Sequence, residues 1–413
     1  MIIANISKRD KVRTQSDLLC CIFVLSAAFV ILAGGQQNDA DWTCIGDALY
    51  NHGNYSEAIK AYEEAISLDP SNAKAWAGKG DSLFAQGDYA EAIEAYDEAI
   101  RLNPNNADVW LNKGIALSVL GQYSDAIAAY DEAIRSDPSA SGAWINKGVV
   151  LAALGRYPDA IAAYDEAIRL DPGDPAAWMN KGSSLYNMGN YTGAAEAYNE
   201  AVRLDPSYAD LWISKGNALN ALGSYEEAVA AYEEAIRLDP SSKAAWFHKG
   251  RALSGQGNYS DAIAAYDEAI KLDPDFADAW LYKGDVLNDQ GNYSDAIAAY
   301  DEVIRLDPDE AAAWVNKGNA LFAQGNYTDA IPAYDEAIRL DPNNSAAWMN
   351  KGAALHNQGN YADAIAAYDE AIRLDPSNAN AWINEGYSLL ALDRSDEAAA
   401  AFAKARELED EGP

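Results

Sequence analysis

The sequence is poor in the residues that most often do chemistry. Its 413 residues include three histidines, three cysteines and four methionines. His52, His248 and His356 stand far apart in the chain and share no local motif. Cys20 and Cys21 are adjacent in an apolar stretch, which leaves only Cys44 for the rest. That is neither a disulfide framework nor a metal-ligand spacing. The chain carries no phosphate-binding glycine loop, no nucleophile elbow and no zinc motif. No catalytic residue, metal, cofactor or small-molecule substrate is therefore implied. Positive charge is also scarce, with 30 Lys and Arg against 64 Asp and Glu, a net charge of −34. A field of that sign repels nucleic acid and anionic headgroups, favours basic partners or cations, and keeps a chain soluble even in salt. With 49% hydrophobic residues the chain is too apolar to be disordered.

Long apolar runs are absent except for one. Leu18 to Ala33 reads LLCCIFVLSAAFVILA, and Gly34 and Gly35 extend the uncharged stretch to 35. A membrane span needs roughly 17–25 residues. Before it, Lys8, Arg9, Lys11 and Arg13 outweigh Asp10 and Asp17 by two charges, which leaves −36 for everything beyond. The positive-inside rule then keeps residues 1–17 in the cytoplasm and sends the chain after Gly35 out. Two readings fit residues 18–35: a transmembrane signal anchor, or a signal peptide cleaved at Ala33-Gly34-Gly35. Both place the following residues outside the cytoplasm, attached to the membrane or secreted. Residues 36–38 are a short linker.

What the sequence has in abundance is repetition. All eleven tryptophans recur every 34 residues, from Trp42 to Trp382. With tryptophan at position 4, repeats start at residues 39, 73, 107, 141, 175, 209, 243, 277, 311, 345 and 379, and the array spans 39–412. Position 8 is always glycine (Gly46 to Gly386), position 11 leucine and position 20 alanine. Position 24 is tyrosine ten times and then Phe402, and position 32 is proline in all but the last repeat. Trp76, Gly80 and Leu83 have the i, i+4, i+7 spacing of one helix face. Gly87, at position 15, fits a left-handed helix end. Ser56, Ser124 and Thr328, at position 18, are natural N-caps for a second helix. In repeat two that helix buries Ala92, Tyr96, Ala99 and Ile100, and an Asp-Pro pair stops such helices. The carboxylate pairs at positions 25–26, such as Asp97-Glu98, precede a basic residue at position 29 and read as a solvated helix face. One hairpin cannot bury its own stripe, so stability comes from stacking neighbours. The last repeat, with Asp393, Ser395, Arg406 and Asp410 at otherwise regular positions, suits a cap.

The pattern W-x2-L-G-x2-Y, A-x3-F, P resembles that of the tetratricopeptide repeat family. The resemblance implies an all-α solenoid of helix–turn–helix repeats in a right-handed superhelix, and a protein-binding scaffold rather than an enzyme. One departure is regular: position 7, apolar in the family pattern, is lysine from Lys79 to Lys351, with Ile45 first and Glu385 last.

In that family the first helix of each hairpin lines the concave groove. Position 6 is Asn112, Asn146 and Asn180 in repeats three to five, and Asn316, Asn350 and Asn384 in repeats nine to eleven. Ser214, His248 and Tyr282 stand between. The two runs resemble the asparagine ladder of O-linked GlcNAc transferase grooves, where side-chain amides grip the backbone of an extended peptide. An amide offers one donor and one acceptor group, matching a peptide unit without reading its sequence. The same asparagines also fit a plain helix-surface role, and the break permits one groove or two shorter sites. Position 5 is apolar: Leu111, Ile145, Met179, Ile213, Phe247, Leu281, Val315, Met349 and Ile383. Those residues fit either peptide contact or packing between first helices. A chaperone-type carboxylate clamp is incomplete, because Lys74 is followed by Gly78 where asparagine is required. The sequons at Asn54, Asn190, Asn258, Asn292, Asn326 and Asn343 read as turn chemistry or, after export, as glycan acceptors. The expected partners are other proteins or extended peptides, basic ones by charge, with a spacer of the cell envelope as the alternative.

Overall fold

The computed structural model describes residues 38–410. The apolar run at 18–35 lies outside the described residues. Among those described, every regular element is a helix, and none is long and apolar enough to cross a membrane. They divide into two compact units that part between Pro206 and Ser207.

The first unit holds α1 (Asp39–Asn51), α2 (Tyr55–Leu68), α3 (Ala73–Gln86), α4 (Tyr89–Leu102), α5 (Ala107–Val119), α6 (Tyr123–Ser136), α7 (Ser141–Ala153), α8 (Tyr157–Leu170), α9 (Pro175–Asn187) and α10 (Tyr191–Leu204). The second holds α11 (Ala209–Ala221), α12 (Tyr225–Leu238), α13 (Lys243–Gly255), α14 (Tyr259–Leu272), α15 (Ala277–Asp289), α16 (Tyr293–Leu306), α17 (Ala311–Ala323), α18 (Tyr327–Leu340), α19 (Ser345–Asn357), α20 (Tyr361–Leu374), α21 (Ala379–Ala391) and α22 (Ser395–Asp410). Odd-numbered helices are the first of each hairpin and even-numbered ones the second.

Each hairpin turn closes on the expected glycine. Position 15 has φ between 72° and 94° in ten repeats, and Asp393 takes the same region at 58°. The Gly53 N–H donates to Tyr50 O and the Asn54 N–H to Leu49 O, each at 2.9 Å. This 5→2 and 6→1 pair satisfies carbonyls that the ended helix leaves open. The next helix begins at once, so its N-cap is position 16 and not position 18 as the sequence pattern had implied. Asn190 and Asn326 cap in this way, accepting the backbone N–H of Gly193 and Asp329. Three position-18 hydroxyls, Ser56, Ser294 and Thr328, instead accept from the next repeat's position-14 glutamine, Ser56 from Gln86 at 2.6 Å.

The core is small residues around one ring. Position-20 alanines such as Ala92, Ala160 and Ala296 are fully buried, as are Tyr96, Tyr232 and Tyr300 at position 24. The expected stripe Ala92, Tyr96, Ala99 and Ile100 is buried throughout. Position 8 has to be glycine because the tyrosine lies flat against it. A Cβ on Gly148 would stand 2.5 Å from Tyr164 Cε1, and one on Gly318 2.6 Å from Tyr334 Cε1. Between hairpins, eight tryptophans turn the indole back onto the chain. Trp110 Nε1 donates to Pro104 O at 2.9 Å, and Trp280, Trp314 and Trp348 repeat the bond.

Within each unit successive first helices touch one another, whereas successive second helices do not. Each unit therefore bends toward its first helices, and the face they line is the concave one.

Candidate functional site

All six ladder asparagines project from first helices and are half-buried. They fall into two classes. Asn112 Nδ2 donates to Asp81 Oδ1 at 2.8 Å, and the same oxygen accepts the Tyr96 hydroxyl at 2.9 Å. Asn316 and Tyr300 meet on Asp285 Oδ1, at 3.0 and 2.9 Å. Asn350 and Tyr334 meet on Asn319 Oδ1, both at 2.9 Å. Each such rung joins the buried tyrosine of one repeat, its position-9 acceptor and the asparagine of the next repeat. Burial pushes the Asp285 carboxyl up, with the Tyr300 hydroxyl bond opposing. Asn146, Asn180 and Asn384 face Ile115, Val149 and Ala353 at the corresponding position 9. Their amides make no hydrogen bond among the described residues.

Position 5 is part of the packing. Ile145 and Phe247 are buried, and the other seven residues are half-buried. Leu111 packs against Leu117 and Tyr130, Leu281 against Leu287 and Tyr300, and Val315 beside Ile338. Met179, Ile213, Met349 and Ile383 hold the equivalent place on their helices.

The regular lysine at position 7 has a clear role that the repeat pattern alone did not reveal. Lys147 Nζ lies over the Trp144 ring, 5.4 Å from its centroid, and pairs with Asp131 at 2.6 Å. Asp131 is position 25 of the preceding repeat, sixteen residues back. Seven further lysines do the same, with Glu63, Asp97, Asp165, Glu233, Asp267, Asp301 and Asp335. Lys215 lies over Trp212, and burial lowers its ammonium pKa. The position-26 acid pairs within its own helix, as Glu166 does with Arg169 at 2.8 Å. The acidic pairs are thus split between a bond across repeats and a surface pair.

The histidines occupy separate repeats. His52 Nδ1 reaches Ala48 O at 2.7 Å, and His356 Nδ1 reaches Ser388 Oγ at 2.8 Å. His248 stacks on Tyr232, and burial together with the Arg251 charge pushes its pKa down to about 4. Lys74, the start of the incomplete clamp, pairs with Asp47 at 2.6 Å. Five of the sequon asparagines, Asn54, Asn190, Asn258, Asn292 and Asn326, are N-caps of second helices.

Solved structures similar to this chain include repeat proteins. The C-terminal part of a repeat-containing protein from Cytophaga hutchinsonii is 20% identical, with a TM-score of 0.51, covering 57% of this chain and 97% of its own. A crystal structure of MamA is 30% identical over 39% of this chain and 94% of its own, with a TM-score of 0.38. YrrB, described as having an unusual peptide-binding site, is 24% identical over 45% of this chain and 96% of its own, with a TM-score of 0.41. No curated protein sequence matches the chain. The family model for the tetratricopeptide repeat matches residues 45–107, 111–175, 179–243 and 247–311, and overlapping segments from 287 to 413. With these matches, the helix–turn–helix solenoid and the glycine–tyrosine core, the chain belongs to the tetratricopeptide repeat family, whose members are typically protein-interaction scaffolds rather than enzymes.

Proposed function

We propose that the chain is a scaffold whose first-helix face binds extended segments of other proteins, chiefly through the asparagines at position 6. The observation that carries this reading is the set Asn146, Asn180 and Asn384. These are half-buried amides on first helices, two in the first unit and one in the second, whose hydrogen-bonding groups the fold does not use. Partly open to solvent, these amides can exchange water for the donor and acceptor of an incoming backbone. Asn112, Asn316 and Asn350 spend one N–H on a rung, which fixes the amide and leaves its oxygen and second N–H. A peptide unit needs one acceptor and one donor, so both classes can serve. The rungs also support a second reading, a spacer of the cell envelope in which these asparagines only stiffen the stack.

Crosslinking in cells followed by mass spectrometry, on the natural chain and on a variant with alanine at all six asparagines, separates the two. Recovery of the same few proteins with the natural chain, and their loss with the variant, supports the receptor. Matching recoveries support the spacer. The same reading places the repeats outside the cytoplasm, tethered through residues 18–35. Deleting residues 1–35 then moves the protein from the membrane to the soluble fraction. Equal solubility of the full chain contradicts the tether.

A further inference from the structure

The break between the two asparagine runs is not blank. In the second unit the rung of repeat seven consists of Tyr266, Arg251 and Tyr282, in the places held elsewhere by tyrosine, an acceptor and asparagine. The guanidinium of Arg251 lies 5.4 Å from the Tyr282 ring centroid and 5.9 Å from that of Phe247. These two rings pack edge to face at 5.4 Å. Arg251 is exposed and Tyr282 is 36% exposed, so the stack opens onto the first-helix face. Ten other arginines, from Arg101 to Arg394, each pair with a carboxylate. Arg251 pairs with none among the described residues.

The second observation is beneath it. The Tyr266 side chain is fully buried, and its hydroxyl has no hydrogen-bond partner. In the flanking repeats Tyr232 donates to Asn217 at 2.8 Å and Tyr300 to Asp285 at 2.9 Å. Tyr266 has lost that acceptor because position 9 of its repeat is a cation. The neighbouring acid, Asp285, already accepts from Tyr300 and Asn316. His248, held against Tyr232 and Phe247, adds no acid. This rung therefore holds a guanidinium and two hydroxyls with no carboxylate or amide among them, and the guanidinium lies against two rings. What it lacks is an anion. A fork-shaped guanidinium with its face covered and its edge open matches a carboxylate.

We propose that Arg251, stacked on Tyr282 and Phe247, receives the carboxylate of an aspartate or glutamate side chain in an extended segment lying on the first-helix face. This rests on the peptide-receptor reading and adds to it a place where the groove reads a side chain. The surrounding negative field is compatible with it. Screening over about 10 Å in ordinary salt confines the contest to nearby charges. The bound segment is then neutral or basic as a whole, with an acid at one register.

The test uses the full chain and a displayed library of random twelve-residue linear peptides, selected on the natural protein. The peptides recovered are expected to share Asp or Glu at one register. Arg251→Gln is expected to weaken them roughly ten- to hundred-fold, the range for bonds to charged groups. Changing the peptide's acid to its amide should cost the natural chain the same factor and the Arg251→Gln chain almost nothing. Because Arg251 is exposed, the variant should lose only its ring contacts and melt within a few degrees of the natural chain. Arg251→Lys, which keeps the charge without the fork, should recover only part of the loss. Peptides that bind through the asparagines but carry no shared acid, or an acid-to-amide change that costs both chains equally, overturn the proposal while leaving the receptor reading intact. Recovery of no peptide by the natural chain overturns both.

Discussion

Glu385 offers the sharpest check on the bonds that join one repeat to the next. Where eight repeats pair a position-7 lysine with an acid of the previous second helix, the last repeat sets Glu385 beside Asp369. Glu385 Oε2 is buried without a partner. Burial first, then the Asp369 charge, pushes the Glu385 carboxyl up to about 7, with Arg394 opposing and Glu397 adding to the rise. Asp369 is raised as well, by burial and by Glu370 against Arg394. The folded-state value of Glu385 lies above the ordinary 4.5, so folding favours its protonated form. The penalty is absent below about pH 4.5 and grows as pH rises through 7. A tenfold change in proton affinity is worth about 1.4 kcal/mol, so a rise to about 7 sets an upper bound of about 3 kcal/mol. Glu385 is half-exposed, and solvent screening reduces this to about 1 kcal/mol. Glu385→Lys removes that penalty and adds a Lys–Asp pair and a cation over Trp382, together about 1 kcal/mol. The expected gain is about 1–2 kcal/mol at pH 8.5 and about half that at pH 5. Solenoids open locally, so the readout is amide hydrogen exchange over residues 379–410, corrected for intrinsic rates and compared with 345–374. Exchange should slow about 5- to 30-fold at pH 8.5. Unchanged or faster exchange, or a gain as large at pH 5 as at pH 8.5, refutes the reasoning.

Two further perturbations address the core and the rungs. Gly318→Ala places a Cβ 2.6 Å from Tyr334 Cε1 and should cost about 1–3 kcal/mol by overpacking, less about 1 kcal/mol from better helix propensity. Tyr334→Leu in the same chain should relieve that clash. It should do nothing for Gly325→Ala, whose cost of about 1–2 kcal/mol comes from φ +80 with no atom within 4 Å. Local hydrogen exchange around α17 and α18 checks both. Tyr300→Phe strips a donor from Asp285 and should destabilise that hairpin by about 1–3 kcal/mol. It should also raise the Asp285 pKa further, which a carboxylate-resolved NMR titration would read.

The fold was legible because its signals are local and repeated. Trp, Gly and Tyr at fixed offsets mark a hairpin, and Gly53 and its equivalents mark a left-handed turn, whatever lies next door. The N-cap was misplaced by two residues, since Ser56 looks like a cap until Asn54 is seen to bond back to Leu49. The lysine at position 7 appeared only as a departure from pattern. Its partner, Asp131 for Lys147, sits on another hairpin sixteen residues back, a separation that periodicity inside one repeat does not reveal. The same reason hid the division of the asparagines. Whether Asn112 or Asn146 is tied down depends on Asp81 or Ile115 in the preceding repeat, a register between helices that only packing sets. Position 5 fitted either peptide contact or packing between first helices, and the pattern alone did not tell that Ile145 and Phe247 are buried while the other seven are half-buried.

The most direct test of the receptor account uses the asparagines that the fold leaves alone. A peptide recovered from the random library is titrated by fluorescence anisotropy against the natural chain, Asn146→Ala, Asn180→Ala and the variant with alanine at all six positions. The account predicts that each single change weakens binding about 2- to 12-fold, the worth of one amide hydrogen bond, without lowering thermal stability, and that the six-fold change abolishes it. Equal affinity for all four proteins contradicts it.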